Sequence, residues 1–208
     1  GNSVGCVTAA PQSHVDNSYI RRYSPTTDCA SPSGLTISGV TFGVEAATGS
    51  TGMQPANIRI YSIAPGAALT FANLTLLRDQ PIMIVDDAQN IVSETFTGGA
   101  VSVGPMTDVV VELFTPDGTA TGEIFFIGSN NVGQSSPTYL AAAGCGALDP
   151  TDVAVLGFPD MHIILDLDLA GQIGTNYCAA NANSTGATGV MSALGSTAVA
   201  SNDLTLTA

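Results

Sequence analysis

The sequence predicts an all-β protein, an antiparallel β-sandwich of jelly-roll or Greek-key type with a C-terminal strand appendage. From Gly34 onward, short runs rich in β-branched and aromatic residues recur between turn-forming segments such as APG, DDAQN, TGG and TPDG. Helical periodicity is almost absent. The composition agrees: of 208 residues 45% are apolar and 10% charged, and Gly, Ser, Thr and Ala fill much of the rest, as in secreted all-β chains with a real core.

Residues 1–34 are rich in Ser, Pro and Asn and read as an N-terminal arm in which SYIRRYS is one strand. LTISGVTFGVE, NIRIYSI, LTFANLTLL, PIMIV, NIVSETF, VVVELF, EIFFIG and HIILDLDL follow as further strands. DPTDVAVLG is the one place for a helical turn, with Asp149 as N-cap and Pro150 as first helical residue. After Gly171, QIGTNYCAANANSTGATG reads as a polar linker of small residues, and VMSALGSTAVASNDLTLTA as two or three weak strands that need a sheet to join. The expected organisation is a sandwich with its arm over 1–171, then a linker and C-terminal strands over 172–208.

Seventeen acidic residues face four basic ones, all arginine, for a formal charge of −13. Nucleic acid is excluded as a partner, because phosphate binding needs a basic footprint. No apolar run approaches the roughly 20 residues of a membrane-spanning helix. The chain begins without a signal peptide and is read as a mature or trimmed product. Without lysine, Lys–Asn isopeptide staples and lysine-linked polymerisation are chemically impossible.

Cys6, Cys29, Cys145 and Cys178 are too widely spaced for zinc or redox motifs. Disulfides are expected, with buried free thiols as the alternative. Four cysteines allow three connectivities, of which Cys6 with Cys29 and Cys145 with Cys178 would each tie down a loop-rich flank.

In HIILDLDL, strand alternation sets Met161, Ile163, Leu165 and Leu167 on one face and His162, Ile164, Asp166 and Asp168 on the other. Asp166 and Asp168, about 7 Å apart on a strand, are the candidate ligands for Ca²⁺, against the plainer reading of a solvated acidic face. Asp86, Asp87 and Asp117 read as turn residues capping backbone N–H groups, and Asn130 with Asn131 as a loop. His14 and His162 accompany no GxSxG or HExxH motif, and the absence of Trp disfavours a sugar site. The expectation is therefore a non-catalytic chain that needs no cofactor unless Ca²⁺ binds.

LTISGVTFGVE and NIRIYSIAPG, with EIFFIGSNNVGQSSPTYLAAAGCG and GFPDMHIILDLDLAG, resemble an uncharacterised β-sandwich domain of large secreted or surface-anchored bacterial proteins, over roughly residues 17 to 171. The segment from Asn176 to Ala208 similarly looks like the start of a small β module that follows other domains in such proteins. The resemblance implies an extracellular or cell-surface location and carries no catalytic residues.

Leu204, Thr205, Leu206 and Thr207 alternate apolar and β-branched polar side chains and read as a strand that pairs with a second copy, with its own sandwich, or with a further domain. The linker spans roughly 25 Å as a coil, enough to reach a neighbour. The functional expectation is a structural subunit that self-associates into a homopolymer by inter-subunit strand pairing, forming a fibre, matrix or adhesive surface assembly. The alternatives are a polysaccharide- or calcium-binding accessory module and a secreted hydrolase.

Overall fold

The computed structural model describes residues 3–9, 12–29, 31–131, 136–170 and 177–178. Its strands are β1 (Asn17–Tyr23), β2 (Leu35–Thr48), β3 (Met53–Ile63), β4 (Thr75–Val85), β5 (Asp87–Thr95), β6 (Val101–Val103), β7 (Asp108–Thr115), β8 (Ile124–Ile127), β9 (Ser129–Asn130), β10 (Thr138–Ala142), β11 (Ala147–Asp152), β12 (His162–Ile163), β13 (Leu165–Leu169) and β14 (Tyr177–Cys178). One sheet runs β11-β10-β1-β7-β3-β4 and the other β14-β13-β2-β5, with β6 and β8 also paired to β2; a short β9-β12 pair stands beside them. All the pairings are antiparallel, so the expected all-β antiparallel sandwich is what forms.

The core lies between the two sheets, with Tyr19, Ile58 and Leu113 from the first packed in one cluster with Ile37, Phe42 and Leu165 from the second. β7 reads VVVELF rather than alternating because both of its faces are covered. Val109 and Val111 enter the main core, while Val110 joins Ile20, Ile63 and Ala141 on the outer face, where Ala67, Leu69 and Leu74 pack over them.

The second sheet is organised by a junction at Gly43. β8 pairs with residues 44–48 of β2 and β13 with residues 37–42, both along the same side, so the two strands must part where they meet. There the Gly43 N–H donates to the Ile164 carbonyl, Ile164 to Gly128 and Gly128 back to Gly43, at 3.0, 3.0 and 2.8 Å. This closed ring of three main-chain hydrogen bonds leaves no room for side chains at two of its corners. A Cβ on Gly43 would stand 2.9 Å from the Gly128 Cα, and one on Gly128 would stand 2.8 Å from Gly43 backbone. Beyond the ring the parted strands pair with each other as β9 and β12.

The junction corrects two expectations. EIFFIG does not end in a loop at Asn130, which instead pairs with His162, and HIILDLDL is two strands rather than one because Ile164 belongs to the ring. The helical turn expected from Asp149 is displaced: Asp149 and Pro150 lie in β11, and a single turn follows over 152–157, where the Leu156 N–H donates to the Asp152 carbonyl and the Asp152 carboxylate accepts the Ala154 N–H at 2.9 Å. The Asp149 carboxylate caps a different element, accepting the Phe71 N–H of the 3₁₀ turn Phe71–Asn73 at 2.9 Å. LTFANLTLL yields that turn and only the first part of β4, which runs on through Pro81.

The expected cysteine pairing is overturned as well. Cys6 is bonded to Cys145 across 139 positions, with Cα atoms 5.8 Å apart, and Cys29 is disulfide-bonded too. The reason is β10, a strand the sequence conceals under Ala-rich composition. β1 pairs with β10 in the register Ser18 to Ala141, which brings the residues before β1 beside those after β10. The arm is held there by Asn17, whose side chain accepts the Cys6 N–H at 2.6 Å and donates to the Cys6 and Val15 carbonyls.

Gly43→Ala or Gly128→Ala should each cost about 1–3 kcal/mol of unfolding free energy, because the clash is with backbone. Gly104→Ala, where nothing lies within 4 Å, should leave the denaturation midpoint nearly unchanged. Peptide mapping under non-reducing conditions should recover Cys6 joined to Cys145. In the chain-entropy model that bridge contributes about 5 kcal/mol for so long a loop, so Cys6→Ala should lower the midpoint strongly.

Candidate functional site

A sandwich exposes the outermost strand of each sheet, and an unpaired row of main-chain N–H and C=O groups is a template for another chain. The structure treats its edges unequally. The difference defines the candidate site.

On one side the edge of β12 and β13 is closed from across the sandwich. Because the Ile164 carbonyl faces β2, those of Ile163 and Leu165 face the opposite way, towards the free edge. Both are met by side chains of β1: Arg21 Nη1 donates to the Ile163 carbonyl at 3.2 Å, and the Tyr23 hydroxyl donates to that of Leu165. The same hydroxyl lies 3.1 Å from Asp166 Oδ1, and Arg21 Nη1 is 3.8 Å from that atom. Arg21 is fully buried and Asp166 is 2% exposed.

The solvated acidic face expected at Asp166 and Asp168 is not what forms. Asp166 is buried, and its Oδ1 faces Arg21 and Tyr23. Asp168 accepts the Thr41 hydroxyl at 3.0 Å, and Thr41 in turn contacts Ser93 at 2.7 Å. Burial pushes the Asp166 carboxyl up to about 6, against the pull of Arg21 and the Tyr23 hydrogen bond. Burial likewise raises Asp168 to about 6, opposed by Thr41 and reinforced by the charge of Asp166. Among the described residues no group of three or more His, Cys, Asp or Glu side chains is arranged to hold a metal.

The turn residues behave as their chemistry suggests. Asp87 Oδ1 accepts the Ala88 N–H and Asp117 Oδ1 the Thr119 N–H, while Asp86 Oδ1 accepts Gly49 N–H at 2.6 Å from the neighbouring hairpin. His14 is buried with Nδ1 3.0 Å from the Glu123 carbonyl, and burial lowers its pKa, as it does for His162 beside Arg21.

On the other side the sheets end in β4 and β5, and closure is partial. The Gln80 side chain spans the gap, donating to the Thr95 carbonyl and accepting the Thr97 N–H at 2.8 Å. Arg78 caps the Thr97 and Gly99 carbonyls at 2.6 and 2.9 Å. Along β5 the Phe96 N–H points to Ser38 of β2, so Ile91 and Thr95 face the free side. The Asn90 side chain takes the Ile91 N–H at 2.8 Å, and Gln80 takes Thr95. Asn90 and Gln80 therefore partly close β5. At the far end of the first sheet, β11 carries Pro150, a residue natural sheets use to blunt an edge.

Among the described residues no side chain takes an outward main-chain group of the second half of β4. The Asp86 N–H donates to the Gly52 carbonyl, and the register with β3 is unbroken from Asp79 to Val85. Alternation then turns the main-chain groups of Ile82 and Ile84 towards β3 and those of Pro81, Met83 and Val85 outwards. Pro81, which has no N–H, sits where none is needed. Among the described residues no strand pairs with this side of β4.

The outer face beside that edge is apolar. Val85 stands opposite Met53 and Met83 opposite Pro55; Val85 is 61% exposed, Met83 49% and Met53 39%. A polar ladder across four strands adjoins this patch and meets β4 at Asp79. Glu112 of β7, 1% exposed, accepts the Ser18 hydroxyl of β1 at 2.5 Å and the Tyr61 hydroxyl of β3 at 2.6 Å. Arg59 of β3 lies 3.5 Å from Glu112 and 3.3 Å from Asp79 of β4, and Asn57 donates to Asp79 at 2.6 Å.

Sequence reading did not single out Arg21, Tyr23, Glu112 or the β4 edge. PIMIV was legible as a strand, but whether its edge is free depends on the partner order of the sheet. Leu204, Thr205, Leu206 and Thr207, expected as a pairing strand, lie outside the described residues, as does the side chain of Cys178. Tyr177–Cys178, placed by the sequence in the linker, adds to β13. No family model, curated protein or solved structure matches this chain.

The raised carboxyl of Asp166 sets the sign of a pH effect. A group held at about 6 in the folded chain and at 3.8 ordinarily contributes stability that is complete below the lower value and is lost as pH rises through 6. Asp166→Asn should therefore compare worst with the parent at pH 4.5 and best at pH 7.5, the two comparisons differing by about 2 kcal/mol. Denaturant titrations of both proteins at the two pH values measure it. A pH-independent difference would contradict the assignment.

Proposed function

We propose that this chain is a non-catalytic extracellular structural module whose copies associate by strand pairing to build a cell-surface fibre, matrix or adhesive assembly. One observation carries the reading: the outer half of β4 combines an unpaired main-chain edge at Met83 and Val85 with an exposed apolar face. Strand addition uses both features, since the main chain supplies affinity and the alternate side chains supply register. A sandwich that donates a strand in one place and accepts one in another makes a heterologous contact, and such contacts run on into filaments unless the rotation closes a ring.

Other properties support the setting. Disulfides persist outside the cytosol, and Cys6–Cys145 locks the N-terminal arm to the far edge of the first sheet. No helix among the described residues is long and apolar enough to cross a membrane. With no lysine available for covalent linkage, non-covalent strand pairing is a route to polymer that this composition leaves open.

Analytical ultracentrifugation over a wide range of concentration should show growing oligomers, and negative-stain microscopy should show elongated ones. Val85→Lys adds a charge at an exposed outward position and should weaken association by about tenfold or more while leaving the melting midpoint within about a degree. A parent chain that sediments as a monomer at millimolar concentration would refute the proposal.

A further inference from the structure

Resting on the strand-pairing reading above, we infer that the segment which fills the β4 edge is Leu204–Thr207 of a second copy, laid along Pro81–Val85 with its leucines on the outer face. The edge offers the Pro81 carbonyl and the N–H and C=O of Met83 and Val85, a row about 13 Å long at strand spacing. Four residues of extended chain cover about 10 Å of it, enough to engage both Met83 and Val85. LTLT is uncharged, β-branched at alternate positions and apolar at the others, so the segment itself brings no carboxylate into the contact with a chain of charge −13.

The direction of the leucines follows from where apolar surface remains in water. Ile82 and Ile84, the core-facing residues of this half of β4, are already 9% and 2% exposed, so leucines beside them would bury little more. Met83 and Val85 keep roughly half or more of their surface exposed, and same-face neighbours on adjacent strands stand about 5 Å apart. Leu204 and Leu206 placed outwards would extend the rows Met53–Val85 and Pro55–Met83 by one residue each. Thr205 and Thr207 then face inwards, towards the gap between β4 and β5.

Two variants of the full chain separate donor from acceptor. Met83→Pro removes the edge N–H without touching the ladder to β3, which leaves the sandwich able to fold but unable to accept a strand. Leu204→Asp with Leu206→Asp leaves the acceptor intact and spoils the donor. Thermal melting confirms that each is folded, and sedimentation reads the assembly state. Neither variant should polymerise alone, and mixed in equal amounts they should form a one-to-one dimer that grows no further. If the double aspartate variant polymerises like the parent while Met83→Pro does not, another segment fills the edge, and the identity of the donor is overturned while strand pairing stands. If both variants polymerise like the parent, β4 is not the interface and both proposals fall. If the folded variants are monomeric and remain so when mixed, donation between copies is overturned.

Discussion

A guanidinium with no access to solvent is the constraint around which this sandwich is arranged. Arg21 cannot give up its proton, so its burial requires partners that stay in place. They come from the opposite sheet: the carbonyl of Ile163 and the carboxylate of Asp166, with the ring of Tyr23 5.5 Å away. One buried charge thereby fixes the distance between β1 and β13 and occupies main-chain groups that would otherwise invite another strand. The junction at Gly43 serves the same arrangement, since it turns the Ile164 carbonyl inwards and so leaves its neighbours facing Arg21 and Tyr23.

The two long sides of the molecule then follow different rules. Where the arm, the Cys6–Cys145 bridge and the β1 side chains converge, edges are short, capped or covalently tied. Where β4 turns directly into β5 at Asp86, the guards among the described residues are Gln80, Arg78 and Asn90, and the main-chain groups they take are those of Ile91, Thr95, Thr97 and Gly99, in β5 and just after it. The remaining length of β4 is held by its unbroken pairing with β3, and the Ser18–Glu112–Arg59–Asp79 ladder adjoins it at Asp79. An open, apolar-faced edge already ordered by its pairing with β3 suits a strand-adding partner, because less of the acceptor must be ordered at the moment of binding.

Much of the fold was legible because alternation is a local property. LTISGVTFGVE, NIRIYSI and VVVELF declare themselves as strands from composition alone, and they form the centres of both sheets. What stayed hidden depends on distant partners. TYLAAAG carries too many small residues to read as a strand, yet β10 decides the disulfide pairing by bringing Cys145 next to the arm. Adjacent arginines in SYIRRYS look alike, but strand alternation sends Arg22 outwards to Asp108 at 2.7 Å and Arg21 into the interior. Asp166 looked like a surface carboxylate for the same reason: its neighbour across the sandwich lies 145 positions earlier in the chain, a relation no local pattern encodes.

The central claim is that the main-chain edge at Met83 and Val85 is free in the single chain and occupied in the assembly. Residue-resolved amide hydrogen exchange, measured on dilute and on concentrated protein, tests it most directly. The account predicts that the Met83 and Val85 amides exchange rapidly in dilute solution, while Ile82 and Ile84, bonded to β3, are slow, and that the two fast amides become protected as the protein assembles. Amides at Met83 and Val85 that are already protected in the dilute monomer, or that stay fast in the assembled protein, would contradict it.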